Sequence, residues 1–155
     1  MQYIDYRACT DAAAVAEEIY RLARQRYISQ EQAQMVDSHM IAAFFSTSLG
    51  QKLRTGNVIR EFKFSILEDG AAYDPALKGE QVLLQGVVDC ALLEEDGITV
   101  IDFKTDYVTE ERIPEVAARY QTQVQTYAEA LQRIYEQSVK AKYLYLFHLD
   151  RFVPM

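Results

Sequence analysis

Two apolar runs, Val87 to Leu93 and Ile98 to Phe103, flank Glu94-Glu95-Asp96-Gly97, and each run carries one aspartate among its hydrophobic residues. The acidic, glycine-closed tetrapeptide is a turn signal, so the stretch reads as a β-hairpin. If the turn closes with Leu93 opposite Ile98, the register sets Asp89 directly across from Asp102. Opposed residues share a face, with Cβ atoms roughly 5 Å apart. Lys104 lies two residues beyond Asp102 and points to that face as well. A slip of one residue would scatter the three side chains to opposite faces.

Two carboxylates at that separation repel each other unless a cation lies between them. Hard cations such as Mg²⁺ take oxygen ligands of this kind. A neighbouring lysine can orient or deprotonate an attacking water, or offset charge developing on a phosphate. Together these groups suit metal-assisted phosphodiester hydrolysis. The competing reading is a hairpin with ordinary solvated charge. The apolar neighbours (Val87, Val88, Cys90 and Ala91 on one run, Val100, Ile101 and Phe103 on the other) weigh against it. Acids are rarely buried without a partner.

Gly86-x-x-Asp89 followed by Asp102-x-Lys104 resembles the PD-(D/E)xK nuclease superfamily. The string Ile101-Asp102-Phe103-Lys104-Thr105-Asp106, with a later Gln123-x-x-x-Tyr127, is similar to its RecB-type branch. Within that branch, residues 85–90 and 96–106 resemble the C-terminal nuclease domains of the AddA family. The resemblance runs on through Arg119-Tyr120 to Ala130-Leu131, and loosely over nearly the whole chain.

The resemblance implies an α/β fold, a restriction-endonuclease-like core whose mixed central β-sheet is flanked by helices. It implies that Asp89 and Asp102 ligate Mg²⁺, or Mn²⁺ in its place, with the Phe103 backbone carbonyl as a further ligand. Lys104 would be the catalytic lysine. Gln123 and Tyr127 would match the Q-x-x-x-Y signature that contacts DNA and supports the site. A glutamate comparable to Glu61 occurs in the first strand of such domains and could approach the metal from the neighbouring strand. The implied partners are a single DNA strand from an unwound duplex, the helicase portion of the same parent chain, and an AddB-like subunit. These nucleases usually carry a metal-binding histidine on a helix ahead of the core. In the AddA pattern it would fall before Met1, so the chain reads as an N-terminally truncated piece of a larger helicase-nuclease. His39 lies too far downstream to match that position. Some relatives hold an iron–sulfur cluster on four cysteines. This chain has two, Cys9 and Cys90, so no such cluster is expected.

A 155-residue chain supports one domain. It divides into a helical part, 1–56, and a sheet-containing catalytic core, 57–155. No apolar run approaches the roughly 18 residues of a membrane span, and no signal-peptide pattern opens the chain. No membrane partner is expected, and the default location is cytoplasmic. The net charge of −7 counts against a free-standing DNA binder, since phosphate neutralisation drives such affinity. A strand fed by a fused motor softens the objection through effective concentration. Weak DNA affinity is therefore expected of the chain alone. No G-x-x-x-x-G-K-[ST] loop, G-x-S-x-G elbow or zinc-type Cys/His spacing competes. The alternative function is a nuclease-like module for binding DNA ends or docking a subunit.

Helical spacing predicts a first helix capped by Thr10 and running to about Tyr27, and a second from a Ser29–Gln32 capping box to about Thr47. The second would bury Met35, Val36, Met40, Ile41, Phe44 and Phe45 in the core. A short helix over 48–54 and a strand over 57–67 follow. Beyond the hairpin, Pro114 opens a long helix to about Gln137, with Val116, Tyr120, Val124, Tyr127, Leu131 and Ile134 in one stripe. Residues 140–149 read as the last strand, with His148 near its end.

Overall fold

Asp11 rather than Thr10 opens the first helix, its side chain accepting the Ala14 N–H at 2.9 Å. In the computed structural model, which covers residues 1–155, α1 spans Ala12–Arg24. The Ser29–Gln32 capping box then starts α2, Gln30–Met35, as its sequence requires. The expected continuation to Thr47 fails. Val36 is extended, and the Asp37 carboxylate caps the His39 N–H at 2.8 Å, so a separate helix α3 spans Ser38–Ser46. A local aspartate–backbone bond has beaten helix propagation. The break also corrects the expected core: Met35 is 85 % exposed and Val36 partly so, while Phe44 and Phe45 are buried. Thr47 caps α4, Ser48–Thr55.

The remaining chain forms one five-stranded mixed sheet in the order β1-β2-β3-β4-β5. β1 (Asn57–Asp69), β2 (Gln81–Glu94) and β3 (Gly97–Lys104) are antiparallel neighbours. The β2–β3 hairpin closes with Leu93 opposite Ile98, the register its turn predicts. From β3 the chain crosses through α5 (Ile113–Tyr135) to the parallel strand β4 (Val139–Leu146). Parallel neighbours need such a crossover. The expected last strand stops at Leu146. A 3₁₀ turn over Phe147–Leu149 and a left-handed Asp150 reverse the chain into β5, Arg151–Pro154, which pairs antiparallel with β4.

The helices cover both faces of the sheet. On one, Val15, Ile19, Phe44 and Phe45 pack with Cys90, Leu92, Ile101 and Tyr145. On the other, Tyr127, Ala130 and Leu131 of α5 pack with Val88, Ala91, Ile98 and Val100. No helix is long and apolar enough to cross a membrane.

Candidate active site

Asp102 is the one aspartate with no exposed surface, and it sits near the end of β3 among apolar neighbours. Strand alternation puts Lys104 on the same side, and its ammonium lies 2.6 Å from Asp102 Oδ2. The ammonium therefore pairs with Oδ2, while Oδ1 is buried without a donor. Such an atom costs free energy unless something compensates it. Burial pushes the Asp102 carboxyl above the ordinary aspartate range. The Lys104 ammonium opposes that rise, and the negative charge of Asp89 adds to it.

Asp89 comes to this point by a route the hairpin register does not contain. The β2–β3 ladder ends at Cys90–Ile101, one pair short of Asp89–Asp102. In place of the next ladder bond, Asp89 Oδ2 accepts the Phe103 N–H at 3.0 Å. On its other side, the β1–β2 ladder pairs Arg60 with Cys90 and Phe62 with Val88, skipping Glu61 and Asp89. Glu61 has φ of 49°, a left-handed conformation that costs a non-glycine residue of order 1–3 kcal/mol. Across this skip both strands change face. Val88 packs on the α5 side and Cys90 on the opposite side, although residues two apart in a regular strand share a face. Likewise Phe62 packs on the α5 side, whereas the Arg60 guanidinium lies over Tyr6 on the other. An irregularity of this kind re-aims side chains. Here it turns Glu61 and Asp89 into a common cavity of about 480 Å³.

The long helix supplies the rest. Gln123 Nε2 donates to Tyr127 Oη at 2.5 Å, as their spacing of one helical turn allows. Burial raises the Tyr127 phenol. The Gln123 bond opposes the rise, and the charges of Asp102 and Asp89 add to it. Tyr120, one turn earlier on the same helix, lies under the Lys104 ammonium, 3.9 Å from ring centre to Nζ. Sequence reasoning placed Tyr120 in the apolar stripe and missed this contact. Its spacing of three and seven residues to Gln123 and Tyr127 is the signal that could have found it. Thus Asp89, Asp102, Lys104, Gln123 and Tyr127 gather at one place. His39 and His148 are exposed and lie outside it.

The donor set suits a hard divalent cation. One buried carboxylate has an oxygen without a donor and a second carboxylate beside it. No group of three His, Cys, Asp or Glu side chains converges to hold an ion by itself. Backbone, water and substrate oxygens would complete the shell, as is usual for Mg²⁺.

Residues 3–153 match the sequence model of the PD-(D/E)XK nuclease superfamily. The chain is 39% identical over 161 aligned residues to the A subunit of an ATP-dependent helicase/nuclease from Clostridium botulinum strain Kyoto, covering 100% of this chain and 12% of that protein. A protein of the same name from Thermoanaerobacter sp. strain X514 is 38% identical over 95% of this chain and 12% of its own length. The chain therefore spans about an eighth of the relatives it matches. Among solved structures, the crystal structure of SSO0001 superposes with a TM-score of 0.43 at 15% identity, over 97% of this chain and 63% of that one.

Proposed function

The chain belongs to the PD-(D/E)XK nuclease superfamily, and on that premise we propose that it is the Mg²⁺-dependent deoxyribonuclease domain of a helicase-nuclease. Its substrate is a single DNA strand, unwound by the helicase portion of the same protein and cut during the repair and recombination of broken DNA. The relatives carry both activities in their name, and an AddB-like subunit is the expected partner. The observation that carries the reading is Asp102, a buried carboxylate with Lys104 on one oxygen, no donor on the other and Asp89 beside it.

In this reading Asp89, Asp102 and the Phe103 carbonyl hold the cation. When bound, Mg²⁺ supplies Lewis-acid charge at the scissile phosphate and lowers the pKa of a coordinated water. Lys104 positions or deprotonates the attacking water and offers positive charge to the phosphate. Tyr120 and Asp102 fix its ammonium from two sides, which limits the freedom lost on reaching the reactive geometry. Gln123 and Tyr127 brace the same wall and contact the strand. Glu61 lines the same cavity as Asp89 from β1 and offers a further carboxylate there.

Calorimetric titration of Mn²⁺ into the chain and its Asp102→Ala variant tests the assignment, together with cleavage of single-stranded DNA. Saturable binding and cleavage that are both lost in the variant support it. Equal binding or equal cleavage by the two proteins overturns it and leaves a docking module as the better reading.

A further inference from the structure

We propose that the methionine-walled cavity and the neighbouring Tyr107–His148 pair form a track that seats unpaired nucleobases beside the carboxylates. The inference rests on the nuclease reading and specifies how its substrate is held. The cavity runs from Glu61 and Asp89 to walls built by Met35, Val36, Met40 and Ile41. At about 480 Å³ it lies within the range that takes small organic ligands. An apolar wall beside a phosphate-cleaving pair is wrong for a phosphate and right for the base attached to it. Thioethers are polarizable and adaptable, so such a wall accepts any base without reading its edge. The Asp37 cap that ends α2 leaves Met35 85 % exposed at this rim, where its thioether is open to a ligand.

A second feature continues the track. The rings of Tyr107 and His148 lie 4.2 Å apart between centroids, and Tyr107 is 72 % exposed. Tyr107 follows Thr105 by two residues and His148 follows Phe147 directly, and both Thr105 and Phe147 line the cavity. Both rings are thus within two residues, along the chain, of positions that line the cavity. Stacking also resolves the charge problem. A chain of net charge −7 gains little from neutralising phosphates, whereas base–aromatic stacking requires no positive surface. Bases inside a duplex have no free face to offer, so the track selects unpaired strands.

The chain contains no tryptophan, which makes Tyr107→Trp a unique fluorescent reporter. It is titrated in EDTA with single-stranded oligothymidylate and with an abasic strand of equal length. Saturable quenching by oligothymidylate, at a Kd at least about fivefold tighter than for the abasic strand, is expected. Met35→Ser and His148→Ala, each in the reporter background, should weaken oligothymidylate binding and leave abasic binding unchanged. Equal affinity for the two strands, or no quenching by either, overturns the proposal. Because no metal or cleavage enters the readout, the two ideas fail separately. A chain that cleaves DNA yet treats both strands alike overturns only the track. One that discriminates the strands yet never cleaves overturns only the nuclease assignment.

Discussion

Asp89 Oδ2 accepts the Phe103 N–H at 3.0 Å, so a side chain on β2 does the work of the missing ladder bond to β3. The same carboxylate is thereby structural and, in the proposed mechanism, a metal ligand. The two roles separate by substitution. Asp89→Ala orphans the Phe103 amide at about 1–3 kcal/mol, a fall in Tm of roughly 3–10 °C. Asp89→Asn keeps an oxygen acceptor and should melt close to the parent. Both variants should lose cleavage by roughly 100-fold or more. Thermal melts beside a cleavage assay check this, and an asparagine variant as unstable as the alanine one would refute the structural role.

Tyr120 holds the Lys104 ammonium through its ring face. Tyr120→Phe preserves that face and should keep kcat within about twofold of the parent, given the modest energy of the contact. Tyr120→Leu removes it and should lower kcat roughly 3- to 30-fold with KM little changed. Steady-state kinetics on a single-stranded substrate distinguish the two, and a leucine variant with normal kcat would rule out the positioning role.

Gly86 is where β2 admits the Tyr127 ring. A Cβ there would stand 2.6 Å from the Phe64 ring and 3.3 Å from Tyr127. Gly86→Ala should cost about 1–3 kcal/mol by overpacking and disturb the Gln123–Tyr127 bond. Adding Phe64→Leu should restore part of the stability, because the two side chains compete for one space. A double-mutant cycle by denaturant unfolding measures the coupling, and strictly additive losses would contradict the steric account.

Glu18 is buried on α1, where it accepts the Asp5 N–H at 2.7 Å and two Arg21 nitrogens at 2.6 Å. The Arg21 bonds, aided by the Asp5 amide, hold its carboxyl below the usual 4.5 despite burial. The ionised form is therefore favoured by folding. Its contribution is complete above the ordinary glutamate value and is lost as pH falls through the lowered one. Glu18→Gln should cost roughly 1–2 kcal/mol at pH 7. The gap between variant and parent should close on acidification below pH 4.5, traced by melts across the acid range.

Much of the architecture is written in local signals. The Glu94–Gly97 turn determines the hairpin register, because its two strands flank it directly and their apolar faces must match. The Ser29–Gln32 box and the stripe of α5 are equally local. Lys104 and Asp102 share a face because strands alternate, and Gln123 reaches Tyr127 because helices turn. These features depend on a period or a cap, and neighbours along the chain suffice to specify them.

Other features come from packing between distant segments. The break at Val36–Asp37 sets a single cap against a continuing apolar stripe, and spacing alone favoured the stripe. Strand β5 exists because Asp150 takes a left-handed turn that lays Phe152 and Val153 against β4. The face switch at Glu61 and Asp89 needs two strands to break step together, and neither strand's pattern announces it. The sequence by itself determined that Asp102 and Lys104 share a face and that Gln123 lies one helical turn from Tyr127, since residue type and period are local properties. Only the tertiary structure decided that Asp89 meets Asp102 through the Phe103 amide instead of the ladder, and that an exposed methionine wall borders them. Those outcomes follow from a strained residue that two paired strands and two packed faces hold in place, a balance no single segment encodes.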